Sequence, residues 1–259
     1  MLDIVTTVTF LFGLVIGSFL NVCIWRLPQN QSVVRPRSYC PHCRHPIRWH
    51  DNVPVLGYLL LGGRCRDCRQ PIHWRYPLVE LLTASLLALV AWHFGVGWRL
   101  LLYGALVCGL IVSTFVDFDH QIIPDEITIP GILIGVVASV LDPSLHEARL
   151  WNVGLYRALL GVLVGGGSLY LMGLIGQAMF KRESMGGGDV KLLAMVGALL
   201  GWEKALLSFF VAPLFGTVGG LAVRLRYRTD IVPYGPYLSV GSIIAMLWGD
   251  RMVRWIVGV

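Results

Sequence analysis

Along this chain apolar residues run in long blocks, and polar residues gather between them. The blocks lie at about residues 4 to 25, 77 to 94, 98 to 116, 127 to 141, 155 to 180, 189 to 201, 204 to 223 and 237 to 257. Several approach the ~20 helical residues that a bilayer crossing requires, whereas the fourth and sixth are short for one. The pattern predicts an all-α polytopic membrane protein with about eight transmembrane helices. Composition agrees: 56% of residues are hydrophobic and only 14% charged, and a mean hydropathy of +0.68 lies far from soluble averages. No internal repeat or low-complexity tract interrupts the series. The expected organisation is a first transmembrane helix over residues 1–25, one polar insertion over 26–76, and a membrane core over 77–259.

Charge sets an orientation. Between Arg26 and Tyr76 nine arginines face only Asp51 and Asp67, an excess of seven that exceeds the +6 of the whole chain. By the positive-inside rule this loop is cytoplasmic and the N-terminus lies outside. Counting spans onward, Lys181 and Arg182, then Arg224, Arg226 and Arg228, also fall inside, while Asp142 and Glu147 fall outside. No basic region precedes the first span and Arg26 follows it directly, which argues against a cleaved signal peptide. The basic excess thus reports topology and contact with an anionic lipid bilayer, with nucleic acid excluded as a partner.

Six cysteines divide into two kinds. Cys23 and Cys108 sit in apolar spans, where a small buried thiol is ordinary packing. Cys40, Cys43, Cys65 and Cys68 form C-x2-C-x21-C-x2-C within two matching segments, "CPHCRHPI" and "CRDCRQPI". Two such turns can present four thiolates tetrahedrally to one Zn²⁺, and a cytoplasmic loop keeps the thiols reduced. Four sulfur ligands leave no position for water, so the expected role is structural. His42, His45, His50 and His73 are the possible substitutes, more simply read as solvent-facing loop residues.

The third span ends in "STFVDFDHQIIPDEITIPG", and the sixth begins in "GGGDVKLL". The same span count places Asp117 and Asp119 at the cytoplasmic end of one, and Asp189 at the cytoplasmic start of the other. Carboxylates at the edge of hydrocarbon are costly unless paired, protonated or wetted, which makes them functional candidates. A pair sharing one proton can activate water for attack on a peptide carbonyl. Gly186, Gly187 and Gly188 would let a substrate backbone approach closely. The plain alternative is that Asp189 caps a helix and the glycines form a loop. Asp117 and Asp119 would point about 200° apart on a helix, so only one can face a partner. Asp125 reads as a helix cap and first-turn charge.

With these motifs in one order, "GSFLNVCIWRLP", the two cysteine segments, "RYPLVE", "DFDHQIIPD" and "GGGD", the chain resembles the type IV prepilin peptidases across nearly its whole length. The resemblance implies a membrane aspartic protease at the cytoplasmic face of the bacterial inner membrane. It would cleave short basic leaders from type IV prepilins and the pseudopilins of type II secretion, after a glycine. The family's G-x-G-D motif falls on Gly186 to Asp189, and its first aspartate, spaced ahead of an I-P dipeptide, falls on Asp117. The resemblance also implies N-methylation of the new N-terminus with S-adenosylmethionine as donor.

Nothing in the residues would suggest that second activity, since no Gly-rich nucleotide loop in a βαβ unit is present. Asn21 and Glu80, near the inner ends of spans one and two, are the candidates to shape such a site; the plainer readings are helix association for Asn21 and, for Glu80, pairing with Arg75 or interface solvation. Gly17 and Ser18 read as close helix packing. Asp250, Arg251 and Arg254 read as a mutually paired group near the outer end of span eight. Two other classes fit part of the pattern. A transporter would place acidic groups nearer the midplane, where spans five and seven hold glycine and serine; a zinc-dependent sensor would need no aspartate pair.

Overall fold

A computed structural model describes residues 2–181, 186–227 and 233–258. Arg182 and Arg228, invoked above for orientation, lie outside the described residues, as does the 183–185 segment leading into the glycines. Among the described residues the fold is all helical: α1 (Leu2–Arg26), a short α2 (Leu56–Leu60), α3 (Arg75–Phe94), α4 (Trp98–His120), α5 (Asp125–Leu141), α6 (Trp151–Phe180), α7 (Gly187–Leu200), α8 (Trp202–Tyr227) and α9 (Gly235–Val257). Each of the eight apolar blocks is a helix. Among the described residues, four helical segments are long and apolar enough to cross a membrane: Ile4–Gln29, Arg75–Phe94, Trp98–His120 and Trp151–Met179. Helices continue past the ends of several blocks, α4 to His120 and α6 back to Trp151, because a helix satisfies its own backbone whether its side chains meet lipid or water.

The chain divides into two compact units, Met1–Val112 and Ser113–Val259, the division falling within α4. In the first, α1 packs along α3 through small residues spaced by four. A Cβ at Gly13 would stand 2.6 Å from the Ala84 Cα, and one at Gly17 would stand 2.6 Å from the Glu80 Cα. This is the Gly-x-x-x-Gly contact through which membrane helices approach without a hydrophobic driving force. One turn further along the same face, Asn21 donates to the backbone carbonyls of Tyr76 (3.1 Å) and Gly17 (3.3 Å). The opposite face, with Leu11, Phe12 and Val15, is exposed, as a lipid-facing surface would be.

In the second unit the shortest of the long helices is the most enclosed. Every residue of α7 from Leu192 to Leu200 is buried, which is what an all-round apolar helix demands. Gly161 of α6 and Gly197 of α7 face each other so closely that a methyl on either would strike the other's carbonyl. On another side, α8 and α9 meet through Leu207, Val211 and Ala245. Asp250 pairs with Lys204 of α8 at 2.8 Å, a bond between helices in place of the expected local group with Arg251 and Arg254.

Candidate functional site

The two cysteine segments fold alike. In each, the first cysteine's N–H donates to a carbonyl five residues on (Cys40 to His45, 3.0 Å; Cys65 to Gln70, 2.8 Å). The residue after the second cysteine, Arg44 or Arg69, takes positive φ and donates back to the first cysteine's carbonyl. Single antiparallel bridges, Tyr39 with Pro46 and Arg64 with Pro71, close the two turns. The result brings all four sulfurs within 4.8 Å of one another, with Cys40 and Cys68 Sγ 3.8 Å apart. Backbone N–H groups of Cys68 and Asp67 aimed at Cys65 hold that thiol down to about 7, while burial and the neighbouring thiols push Cys68 up to about 12, so without a cation the four sulfurs do not all ionise. The cluster could hold a metal ion; His42, His45, His50 and His73 are exposed and outside it.

Next to the cysteines lies a cavity of about 470 Å³, entirely within the first unit. Asn21, Arg26, Asp51, Tyr58, Tyr76 and Glu80 line it, as do Cys40 and Cys65. That volume suits a cofactor-sized molecule. Its polar groups are fixed from behind. Arg26, only 4% exposed, donates to the carbonyls of Ser32 and Pro36, both at 2.9 Å. Asp51 receives a two-pronged bond from Arg66 at 2.8 and 2.5 Å, and this guanidinium holds its carboxyl below the usual carboxylate range. Glu80 Oε2 accepts the N–H of Val55 at 2.7 Å. Val55 takes φ 60° and ψ −50°, a conformation a β-branched residue adopts only under constraint, and such strain collects at functional sites. Arg26 and Val55 carried no signal in the sequence beyond their place beside the loop.

The second unit gathers the aspartates at three helix ends. Asp117 occupies the last turn of α4 and is buried, whereas Asp119 two residues on is exposed. Asp189 lies in the first turn of α7, a helix that Gly186 precedes as its cap residue. Gly188 packs against the turn following α4: a Cβ there would lie 2.9 Å from Ile123 Cβ and 3.3 Å from its backbone nitrogen. Two residues beyond Asp189, Lys191 binds both oxygens of Asp125, at 2.7 and 2.8 Å. These two contacts lock the start of α7 onto the segment that follows Asp117, and the two carboxylates interact electrostatically. Asp125 begins α5 behind Pro124, which holds the cap position without a side-chain bond; the Asp125 carboxylate serves the pair with Lys191 instead. Of the glycines, Gly187 has open space where a side chain would be, and Gly186 adjoins the Asp189 carboxylate.

The third helix end was not anticipated. Gly235 in the first turn of α9 donates its N–H to Asp117 Oδ2 at 2.9 Å, across 118 residues of sequence. Its neighbour Tyr234 interacts electrostatically with Asp189. The only trace in the sequence is the Pro- and Gly-bearing run "PYGPY" ahead of the last apolar block, which reads as an ordinary turn. Asp189 Oδ1 is buried and has no hydrogen-bond partner among the described residues.

Two family models match the chain. The bacterial peptidase A24 N-terminal domain covers residues 11–94 and the type IV leader peptidase family covers residues 104–221. A prepilin leader peptidase/N-methyltransferase of Pseudomonas aeruginosa is 37% identical over 95% of this chain and 91% of its own length. A protein of that name from Aeromonas hydrophila is 37% identical over 96% and 92%, and one from Myxococcus xanthus is 42% identical over 83% and 62%. No solved structure matches the chain significantly. On two models that together span most of its length, and on relatives of this identity and coverage, the chain belongs to the type IV leader peptidase family.

Proposed function

We propose that this protein is a membrane aspartic endopeptidase that removes the short basic leader of type IV prepilins or type II secretion pseudopilins, then N-methylates the exposed residue. What supports the first activity is that Asp117, buried in the last turn of α4, and Asp189, in the first turn of α7, interact electrostatically. Only Asp117 of the "DFD" run is buried there. One carboxylate takes a proton from water and the other donates one to the peptide carbonyl. Gly186, Gly187 and Gly188 form the substrate-binding approach, with the open flank of Gly187 the place for an extended peptide. The relatives' shared name supports both the substrate class and the second activity.

S-adenosylmethionine is assigned to the cavity of the first unit, with Asn21 and Glu80 in its wall. Its size and its fixed polar groups support this. The ion at Cys40, Cys43, Cys65 and Cys68 is assigned as zinc: tetrahedral Zn–S bonds of about 2.3 Å put sulfurs about 3.8 Å apart, and the Cys40–Cys68 distance is 3.8 Å. Its role is architectural, since four sulfurs saturate the metal. In this reading residues 26–76 form a cytoplasmic zinc loop and 77–259 a protease core, in the bacterial inner membrane with the N-terminus periplasmic. The arginine excess of the loop supports that orientation.

Three outcomes are expected. Replacing Cys40 and Cys65 with serine abolishes zinc content and lowers thermal stability; zinc loss with unchanged stability contradicts the architectural role. Mass spectrometry of processed pilin N-termini finds Glu80→Gln or Asn21→Ala impaired in methylation while leader removal continues, and equal loss of both activities would reduce these residues to holding the fold. Asp117→Asn and Asp189→Asn each leave a folded, zinc-loaded protein whose cleavage falls by at least about 10² to 10⁴, the usual worth of acid–base help, while Asp119→Asn keeps most activity. Near-normal processing by Asp189→Asn would end the aspartic-protease assignment.

A further inference from the structure

The two carboxylates have unequal surroundings. Asp117 is 6% exposed and its Oδ2 accepts the Gly235 N–H at 2.9 Å, in a buried bond. Asp117 faces the N-terminus of α9 and Asp189 sits at that of α7, so the partial positive charge of a helix start serves both, and the amide bond is what separates them. Pro236 beside Gly235 has no N–H, so the Gly235 amide is the donor this turn directs at the carboxylate. Among the described residues no comparable donor reaches Asp189, whose buried Oδ1 is without a partner there. A bare ionised oxygen in that position is costly, whereas a protonated carboxyl carries an O–H that can point at Asp117 or at a substrate carbonyl. Two carboxylates that interact in a buried site resist ionising together, so this asymmetry decides which one gives way.

We infer that the Gly235 amide is a positioning group of the proteolytic site, holding Asp117 as the ionised member so that Asp189 carries the proton at the start of each cycle. The inference rests on the aspartate pair proposed above. Asp117 then takes a proton from water as the water oxygen bonds to the scissile carbonyl carbon. Asp189 gives its proton to the carbonyl oxygen as the C=O π bond opens. When the tetrahedral diol collapses, the C–N bond breaks and the amine takes the proton from Asp117. A diol hydroxyl returns one to Asp189, restoring the pair. Peptide and water become acid and amine with no further reactant.

The glycine identity follows from the same geometry. A Cβ at position 235 would lie 2.8 Å from Asp117 Oδ2 and 3.2 Å from its Cγ, pushing the carboxylate off the amide.

Two measurements on the full-length protein in detergent, with a prepilin substrate, test this. In Gly235→Ala the acid limb of the kcat/KM profile for cleavage moves to higher pH by roughly one unit, since the ionised form has lost its donor. N-methylation of an already cleaved pilin by the same variant reports that it is folded. Independently, Asn at 189 still offers an N–H to the carbonyl whereas Asn at 117 removes the base. Asp189→Asn therefore retains about tenfold or more residual cleavage over Asp117→Asn. An unmoved acid limb in a folded Gly235→Ala, or greater residual activity in Asp117→Asn, overturns the inference while both aspartates remain essential. If Gly235→Ala does not fold, the residual order decides alone. Near-wild-type cleavage by either Asn variant would instead remove the pair on which the inference rests.

Discussion

Two interacting carboxylates withdrawn from bulk water can be kept only if their surroundings supply what water would have supplied. That constraint organises the second unit. Asp117 receives a backbone N–H from the start of α9, while Asp189, in the first turn of α7, has a buried Oδ1 with no partner among the described residues, the setting in which a carboxyl keeps its proton. Two helix N-termini and one helix C-terminus thus meet at one place. The contact of Gly188 with Ile123 and the Lys191–Asp125 pair hold that meeting in register. α7 can be only 14 residues long because its remaining length is sheathed by protein, as its unbroken burial from Leu192 to Leu200 shows.

The first unit solves a different problem, a polar loop that must stay ordered without a large core. The cysteine turns close on their own backbone bonds, Arg66 ties the second turn to Asp51, and Glu80 holds the strained Val55. Each of these groups also lines the cavity or adjoins it. A cavity built in this way has walls cross-linked from behind, which fixes the positions of the polar groups that face it.

What could be read from the sequence was whatever depended on neighbours in the chain. Apolar runs gave the helical segments, and C-x2-C pairs with matching flanks gave two like turns, because both are local. Helical spacing separated Asp117 from Asp119 in principle, and burial separates them in fact. The Gly235 bond to Asp117 was not legible, since it joins residues 118 apart through a backbone atom that any residue but proline possesses. Nor was the task of Gly188, whose missing side chain makes room for Ile123. The short α7 illustrates the same limit: length measures what a helix can span, not how many neighbours enclose it.

The central claim is that Asp117 and Asp189 form one chemical unit, and the rate of leader cleavage by the double variant Asp117→Asn/Asp189→Asn tests it most directly. Compared in long incubations with each single variant, the double should cleave no more slowly than the slower single, because once the base is lost the remaining acid has no activated water to work with. A double variant slower by the product of the two single losses would mean that the carboxylates act independently, and would contradict the account.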